Sequence, residues 1–578
     1  MFAYPRNLKS LVLIPLIALI SFPAMGAQLI TKPLASGVTL TQIISDSDGI
    51  PSMVVNVVRV DPKTPGLRIE AVLGQDRVFG LDPTKGRETV SSIANRLHAA
   101  AVINGDYFWL NGDPLGLMIA NGELVSEPRP HRVAFGITSD GKFLFDQLDF
   151  DASITLRNGK SFPIKGIDRE RGKNELIAYT PKFFSSTCTI TGGSEVVIDC
   201  GGKPVRVDVP ITGQVMEVRP ALCDTAIQEG CLVLSGSGPA AKFIEENLTP
   251  DMKVTLRFNL KPLQSAGWNR VQQAVSGGPW LVRDGKIFVD GKEEGFQNDV
   301  LIGTNPRTAL GVTADNKLVL VTVDGRQNIS GGVSLLDLAG MMKSEGCVEA
   351  MNLDGGVSTT LATYSGVLNS PADGEERPIA DGLAVISDAY APVSGGRIED
   401  SGFRIQGPES VIQSGKGIQL SLINSAGHRL DAAEASKAVW TVAGGVGFVE
   451  QTGQFFGIKA RNGRIAVRLG DKTASIPVTV VPGPPKTLTA KLTPDKDATN
   501  RAVLTAIVTD LNRNPIKDVP VSVRIIGGTA DREHENTNSS GSISIGITLD
   551  EGQAGGNYSA EVSCGTMKTT IEARSIGG

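Results

Sequence analysis

Histidine is what this chain has least of: His98, His131, His428 and His534 are the four it contains in 578 residues. Its six cysteines, Cys188, Cys200, Cys223, Cys231, Cys347 and Cys564, show no paired CxxC spacing, so zinc-hydrolase chemistry is not expected. Charge of one sign is equally scarce. With 56 basic against 61 acidic residues the net charge is −5, and no basic block occurs, which argues against a nucleic-acid partner. Aromatic residues make up 5%, too few for an extensive sugar-stacking surface. Long apolar runs are missing after the N-terminus. There, Arg6 and Lys9 precede an apolar run from Leu11 to Ile20, and Ala24-Met25-Gly26 fits a small-x-small cleavage site, which predicts a secretory signal peptide over 1–26. The run falls short of the ~20 residues of a membrane span, so the mature chain is expected to have no transmembrane segment. It is expected to be secreted or periplasmic.

What is abundant is glycine and proline, 67 and 32 residues, which suits a β-rich chain with many turns. From about residue 30 to 390, strand and helix signals alternate. Val90, Ile93, Ala94 and Leu97 mark one helix face before a strand at 100–103, and Leu335, Leu338, Ala339 and Met342 do the same before a strand at 348–353. Ser334 is placed to cap the second helix and Gly346 to stop it. Lys317 to Val323 is apolar on both faces, as in a strand covered on both sides. These patterns predict an α+β or mixed α/β catalytic domain over 27–390, with an embedded β-rich subdomain over 150–265. Two blocks of short alternating strands follow, 398–481 and 486–578, with the spacing of immunoglobulin-like β-sandwiches. The Pro/Gly-rich stretches at 391–396 and 482–485 predict a tail that is separable from the rest. Export to an oxidising compartment predicts local disulfides Cys188 to Cys200 and Cys223 to Cys231, with Cys347 as a buried thiol.

The candidate site residues share one grammar. Asn104, Asp106, Asp324, Asn352 and Asp354 stand at or just past predicted strand ends, where open sheets place ligands. Carboxylates there either do acid/base work or hold a cation, whereas Asp-Gly and Asn-Gly are also ordinary turn formers. The repeated Asn-x-Asp, once in Asn104-Gly105-Asp106 and once in Asn352-Leu353-Asp354, favours function for the group. Arg307, at the mouth of another apolar strand, offers a planar fork to a phosphate or carboxylate, or else a structural ion pair to Asp324 or Asp354. Ser276-Gly277-Gly278-Pro279 and Asp354-Gly355-Gly356 present backbone amides to an anion or simply make tight turns. Gly236-Ser237-Gly238-Pro239-Ala240-Ala241 matches a dinucleotide fingerprint in form only. Pro239 removes an amide donor, and a loop entering a helix at 240–247 accounts for it better. His131 reads as a surface residue more than as a general acid.

Taken together, Asn104-Gly105-Asp106-Tyr107-Phe108, Ser276-Gly277-Gly278-Pro279, Pro306-Arg307-Thr308-Ala309, Val323-Asp324-Gly325-Arg326, Asn352-Leu353-Asp354-Gly355-Gly356-Val357-Ser358-Thr359 and Arg377-Pro378-Ile379-Ala380-Asp381 resemble the phosphodiester glycosidase family, in order and spacing, across roughly residues 50 to 388. The family often continues Asp-Gly-Gly-Gly-Ser where this chain has Val357 before Ser358. The resemblance implies hydrolysis of a sugar 1-phosphodiester, N-acetylglucosamine-1-phosphodiester being one such substrate, with a phosphomonoester leaving from the anomeric carbon. It implies Asp354 facing the anomeric carbon, with Asp106 or Asp324 as its partner or as a cation ligand. Arg307 and Thr308 would meet the phosphate with Arg377 as helper, Asn104 and Asn352 would orient sugar hydroxyls or the carboxylates, and Gly277, Gly278, Gly355, Gly356 and Ser358 would line the substrate. No cofactor is required, and a divalent cation such as calcium is the metal that Asp106 and Asp324 would suit.

The tail resembles bacterial immunoglobulin-like domains, the last one of the invasin type, through Leu488-Thr489-Ala490 and the segment Asp510 to Val521. That likeness implies an exported bacterial protein whose sandwiches space it or attach it to an envelope or glycan. Two other readings stay open: a non-catalytic envelope glycan-binding protein, and a metal-dependent phosphodiesterase that cuts at phosphorus.

Overall fold

The computed structural model describes residues 27–47, 50–190, 192–388, 402–495, 500–550 and 557–574. The expected signal peptide over 1–26 and the linker at 391–396 lie outside them. Among the described residues no helix is long and apolar enough to cross a membrane.

The expected mixed α/β catalytic domain is not what forms: strands make up 50% of the chain and helices 9%. Leu318–Val323 shows why. It is buried at every position, as a covered strand should be. Yet its neighbours Ile50–Val60 and Arg307–Thr313 both run antiparallel to it, a pairing that needs no crossover helix. Its alternate side chains serve two cores. Val319 and Val321 meet Leu335, Leu338 and Met342 of a helix, whereas Leu318 and Leu320 share a core with Ile103, Leu383 and Val385 of another sheet. A strand between a helix and a sheet is as apolar throughout as one between two helices, so the pattern alone pointed to the wrong cover.

The helices that do form follow their sequence signals. Leu335–Ser344 starts at a capping box in which the Ser334 hydroxyl accepts from Asp337 N at 3.1 Å and the Asp337 carboxylate accepts from Ser334 N at 3.3 Å. Gly346, at φ 87°, takes the left-handed turn that follows it. Val90–Arg96 buries Val90, Ile93 and Ala94. The helix Pro239–Asn247 follows the strand Cys231–Ser237 directly, as expected of a structural loop.

The β-rich middle is larger than 150–265. Its sheet also includes Met118–Ala120 and Val271–Ser276, joined through Val133–Thr138 and the long strand Phe143–Leu156. The expected disulfides Cys188 to Cys200 and Cys223 to Cys231 are not formed, and all six cysteines are free thiols. Pairing by nearness in sequence overlooked the ladder. Asp199 lies opposite Cys231, which puts Cys200 beside Cys231, and the bridge Ser186 to Ala226 brings the Cys188 segment alongside that of Cys223.

A third sheet crosses the expected domain boundary. It runs Leu67–Leu73, Asp381–Ser387, Ala101–Asn104, Leu361–Thr363, Gly366–Val367, and then Val439–Ala443, Asn462–Leu469, Lys472–Val481 and Val411–Gln413. The crossing is made where Val367 pairs with Val442. Polar contacts reinforce it: Gln451 N donates to Gln42 Oε1 at 3.0 Å, and Arg468 Nη2 to the Leu34 carbonyl at 2.8 Å. Ile44, Val54 and Ile329 form a small core with Phe448 and Ile458 from the far side. The last block is a sandwich of two four-stranded sheets around Leu504, Val508, Val523, Ile545 and Val562.

The continuous sheet bears on the separability of the tail. Ending the chain after Asp388 uncovers Ile44 and Val54, both now fully buried, at about 2 kcal/mol each, enough to lower the melting temperature by about 10 °C. A chain ending at Pro484 keeps this interface. Thermal melts and soluble yields of the two truncations against the whole chain test this, and an unchanged melt for the chain ending at Asp388 would show that the two parts fold independently.

Candidate active site

Asn104 ends the strand Ala101–Asn104 fully buried, and its side-chain amide ties adjacent strand ends together. Nδ2 donates to the Asp354 carbonyl at 2.6 Å, while Oδ1 accepts from Thr308 Oγ1 at 2.8 Å and from Thr360 N at 3.2 Å. Asp354 N donates to the Gly105 carbonyl at 3.0 Å, and Leu353 N to the Thr308 carbonyl at 2.8 Å. The two Asn-x-Asp segments are therefore bonded to each other, and Asp106 and Asp354 come into one electrostatic neighbourhood. Asn352 extends the brace, with Nδ2 at 2.9 Å from both Tyr107 Oη and the Gly278 carbonyl.

Asp381 completes a group of three carboxylates. Its Oδ1 accepts from Asp106 N at 2.7 Å, and Gly105 N donates to its carbonyl at 2.9 Å. Burial, first of all, pushes the Asp106 and Asp381 carboxyls upward; Asp106 adds to the rise of Asp381, and Asp354 raises both. One oxygen of each, Asp106 Oδ2 and Asp381 Oδ2, is buried without a hydrogen-bond partner. Asp354 is only partly buried; burial lifts it to about 6, and a hydrogen bond from Ser358 and the nearby Arg377 act against the rise.

Two arginines flank the group. The Arg377 guanidinium lies over the Phe108 ring and reaches Ser358 Oγ at 3.4 Å. Arg132 is buried with its guanidinium 4.2 Å from the Phe296 ring centroid and 5.2 Å from that of Tyr107, and its Nε and Nη1 have no hydrogen-bond partner. Both Asp106 and Asp354 feel its charge. Glycine is required close by. A Cβ on Gly277 would stand 2.6 Å from the Asn352 carbonyl, and one on Gly278, at φ 119°, 2.7 Å from Glu294 Oε2. Gly355 has the same constraint against the Pro306 carbonyl, whereas Gly356 is held at φ 62°.

Some expected site residues are placed elsewhere. The Arg307 guanidinium donates to the carbonyls of Val333 at 3.2 Å, Val300 at 3.1 Å and Gly303 at 3.3 Å, so each of its nitrogens serves the backbone behind the site. No ion pair to Asp324 or Asp354 forms. Asp324 is fully buried; its Oδ1 accepts from Asn369 Nδ2 and its Oδ2 from Ser370 N, both at 2.9 Å. It anchors the approach to the Arg377 loop and does not face Asp106. The pair Asp106 and Asp324 therefore does not fit a divalent cation such as calcium, and no group of three acidic, histidine or cysteine side chains among the described residues has a metal-binding arrangement. Arg132 was missed in the sequence, and Asp381 figured there only as the end of the Arg377-Pro378-Ile379-Ala380-Asp381 block, without a role in the site. Arg132 stood beside the more conspicuous His131, and Asp381, although followed by Gly382, starts the strand Asp381–Ser387 where the other candidates stand at strand ends.

Comparison with known proteins gives this geometry a context. Residues 206–386 match the family model described as phosphodiester glycosidase. The SPbeta prophage-derived uncharacterized protein YomE of Bacillus subtilis (strain 168) is 37% identical over 108 residues, 19% of this chain and 16% of that protein. The N-acetylglucosamine-1-phosphodiester alpha-N-acetylglucosaminidase of Bos taurus is 32% identical over 114 residues, 18% of this chain and 21% of that protein. This chain thus spans about a fifth or less of the length of these relatives. Among solved structures, a hypothetical protein from Synechocystis aligns with a TM-score of 0.50 at 22% identity, over 62% of this chain and 64% of that one, a likeness of fold. Asn104 and Asp106 precede the matched stretch, so what ties them to Asp354 is the hydrogen bonding above.

The buried carboxyls carry a pH signature. Asp324 and Glu294 are raised to about 7 and Asp354 to about 6, in each case chiefly by burial, and Asp106 is raised as well. Because each folded value exceeds the unfolded one of ~4, this stability is fully present below about pH 4 and is lost as pH rises through 6 to 7. The melting temperature should therefore fall between pH 5 and 8. Asp106→Asn, which cannot ionise, should flatten that fall, and an unchanged slope would show that Asp106 is not held protonated.

Proposed function

We propose, for a chain whose residues 206–386 match the phosphodiester glycosidase family, that it hydrolyses the glycosidic bond of a sugar 1-phosphodiester. The observation that carries this is the convergence of Asp354, Asp106 and Asp381 between the guanidinium groups of Arg132 and Arg377. Phosphate is a good leaving group, so the main demands are a negative charge near the anomeric carbon, a cation for the departing oxyanion and a positioned water. Asp354 is the carboxyl of the three with the least displaced titration and some exposure, and it supplies the charge. Asp106 holds a proton for the leaving oxygen or, after its departure, takes one from water. Burial and the nearby Asp354 charge keep Asp106 protonated, and Asp381 positions it by accepting from its backbone amide.

The phosphate role moves from Arg307 to Arg132, with Arg377 as its helper. Arg132 is the buried guanidinium with nitrogens lacking partners, and that state is stable only beside an anion. Arg307 is then a brace for the loop at 297–305. Asn104 and Asn352 orient the carboxylates, and Gly277, Gly278, Gly355 and Gly356 let backbone approach where a side chain would clash. On this reading the enzyme is exported, acts on envelope or extracellular glycans, and is held there by its C-terminal sandwiches.

Hydrolysis of a panel of sugar 1-phosphodiesters in ¹⁸O-labelled water tests the reaction class. Label in the sugar is the expected outcome; label in the phosphate would assign a phosphodiesterase, and binding without turnover a lectin. Asp354→Asn should keep its melting temperature and lose about a hundredfold in kcat, the effect of removing one well-placed charge of ~3 kcal/mol.

Arg132→Lys separates the two arginines. It should lower kcat/KM by an order of magnitude or more, because the planar fork is lost while the charge remains, whereas Arg307→Lys should act first on stability. A large kinetic loss at Arg307 with an unchanged melt, and none at Arg132, would return the phosphate to Arg307.

A further inference from the structure

Beside the candidate active site, three separate parts of the chain line an open cleft of about 690 Å³. Thr304, Arg326, Gln327 and Asp373 line it from the catalytic part, Lys459 from the first sandwich, and Asn512 and Arg513 from the second. Its volume lies in the range of a ligand site. Its charge is one-sided: Arg326, Lys459 and Arg513 face a single carboxylate, Asp373, and among the described residues none of the three cations forms an ion pair. Arg326 gives Nη2 to Asn305 Oδ1 at 2.8 Å, and Lys459 gives Nζ to the Asn512 carbonyl at 3.3 Å. The Arg513 guanidinium has no hydrogen bond to another described residue. Both arginines have left-handed backbone, φ 58° at Arg326 and 62° at Arg513, a conformation unusual for long side chains and one that aims them into the cleft mouth.

The cleft is built, and it joins the site. Asp510 accepts from Gly483 N, Asn512 N and Asn514 N, each at 2.9 Å, and Asn514 Nδ2 donates to the Ile458 carbonyl at 2.7 Å, so the loop carrying Arg513 is tied to the first sandwich. Asn328 Nδ2 closes the ring on the Leu511 carbonyl at 2.9 Å. Toward the active site, a Cβ on Gly356 would lie 3.5 Å from both Nη1 and Nη2 of Arg326, and Gly356 is two residues from Asp354.

We propose that this three-way junction is an anion subsite that takes a second phosphate of an oligomeric substrate, a chain of sugars linked by phosphodiesters, while the first is cleaved at Asp354. The proposal rests on the phosphodiester glycosidase reading, and it gives the C-terminal sandwiches a part in substrate choice. Cations with little internal pairing bind a phosphodiester without first breaking ion pairs, and Lys459 and Arg513 come from the sandwiches and not from the group around Asp354.

The test compares a sugar 1-phosphodiester with one phosphate against a synthetic trimer of the same unit, in the full chain. Arg513→Asn removes the charge with a residue that accepts left-handed backbone, and Lys459→Met keeps the aliphatic stem over Gly374. The double variant should raise KM for the trimer about tenfold and leave KM and kcat for the single unit, and the melting temperature, unchanged. Equal losses on both substrates, or none on either, would overturn the subsite. If neither substrate is hydrolysed, the glycosidase reading fails but the subsite is still tested. Calorimetric binding of the trimer to the Asp354→Asn chain should then weaken in the double variant, and unweakened binding would overturn the proposal.

Discussion

A single buried amide, that of Asn104, holds the candidate active site in register. Its donor meets the Asp354 carbonyl and its acceptor meets Thr308 and Thr360, so the ends of strands far apart in sequence share one hydrogen-bonded node. Inside a dry core such a node is costly to break, because each partner left behind is a polar group without water. The node also sets the separation of the carboxyls. Asp106 and Asp354 are both two residues beyond or at the atoms it joins, and the effect of the Asp354 charge on Asp106 follows from that spacing.

The carboxyls work against folding and for chemistry. Burial favours their neutral forms, and where two share a site the second is harder to ionise than the first. Asp354 escapes the strongest effect because it is partly exposed and is helped by Ser358 and Arg377, whereas Asp106 and Asp381 are sealed in. Environments that push neighbouring acids apart are how one site offers a charge and a proton together.

The sequence made some of this legible and concealed the rest for physical reasons. Helix Leu335–Ser344 could be read with its cap because a capping box is a local signal. Asn104, Asp106, Asn352 and Asp354 could be singled out because apolar strands that end in polar residues are also a local pattern. The cover of those strands could not be read, since a buried side chain does not record whether a helix or a sheet lies above it. Arg307 shows the same limit at one residue. Its position at a strand mouth suited an oxyanion, but the carbonyls of Val300, Gly303 and Val333 that claim its nitrogens are set by tertiary packing. Arg132 carries no motif and Asp381 only closes one, and the fold brings both to Asp354.

The polar contacts between the N-terminal strands and the first sandwich bear on how the molecule comes into being. The strand Gln28–Ala35 and its neighbour are among the first parts of the chain to be made, yet they are held by the Ser436 carbonyl, Gln451 and Arg468, with sequence separations of 404, 409 and 434. Contacts separated by so much chain close late, after the entropy of a very long loop has been overcome. The N-terminal part therefore waits, incomplete, for the first sandwich, and the candidate site is held in its final frame only once more than three quarters of the chain has been made.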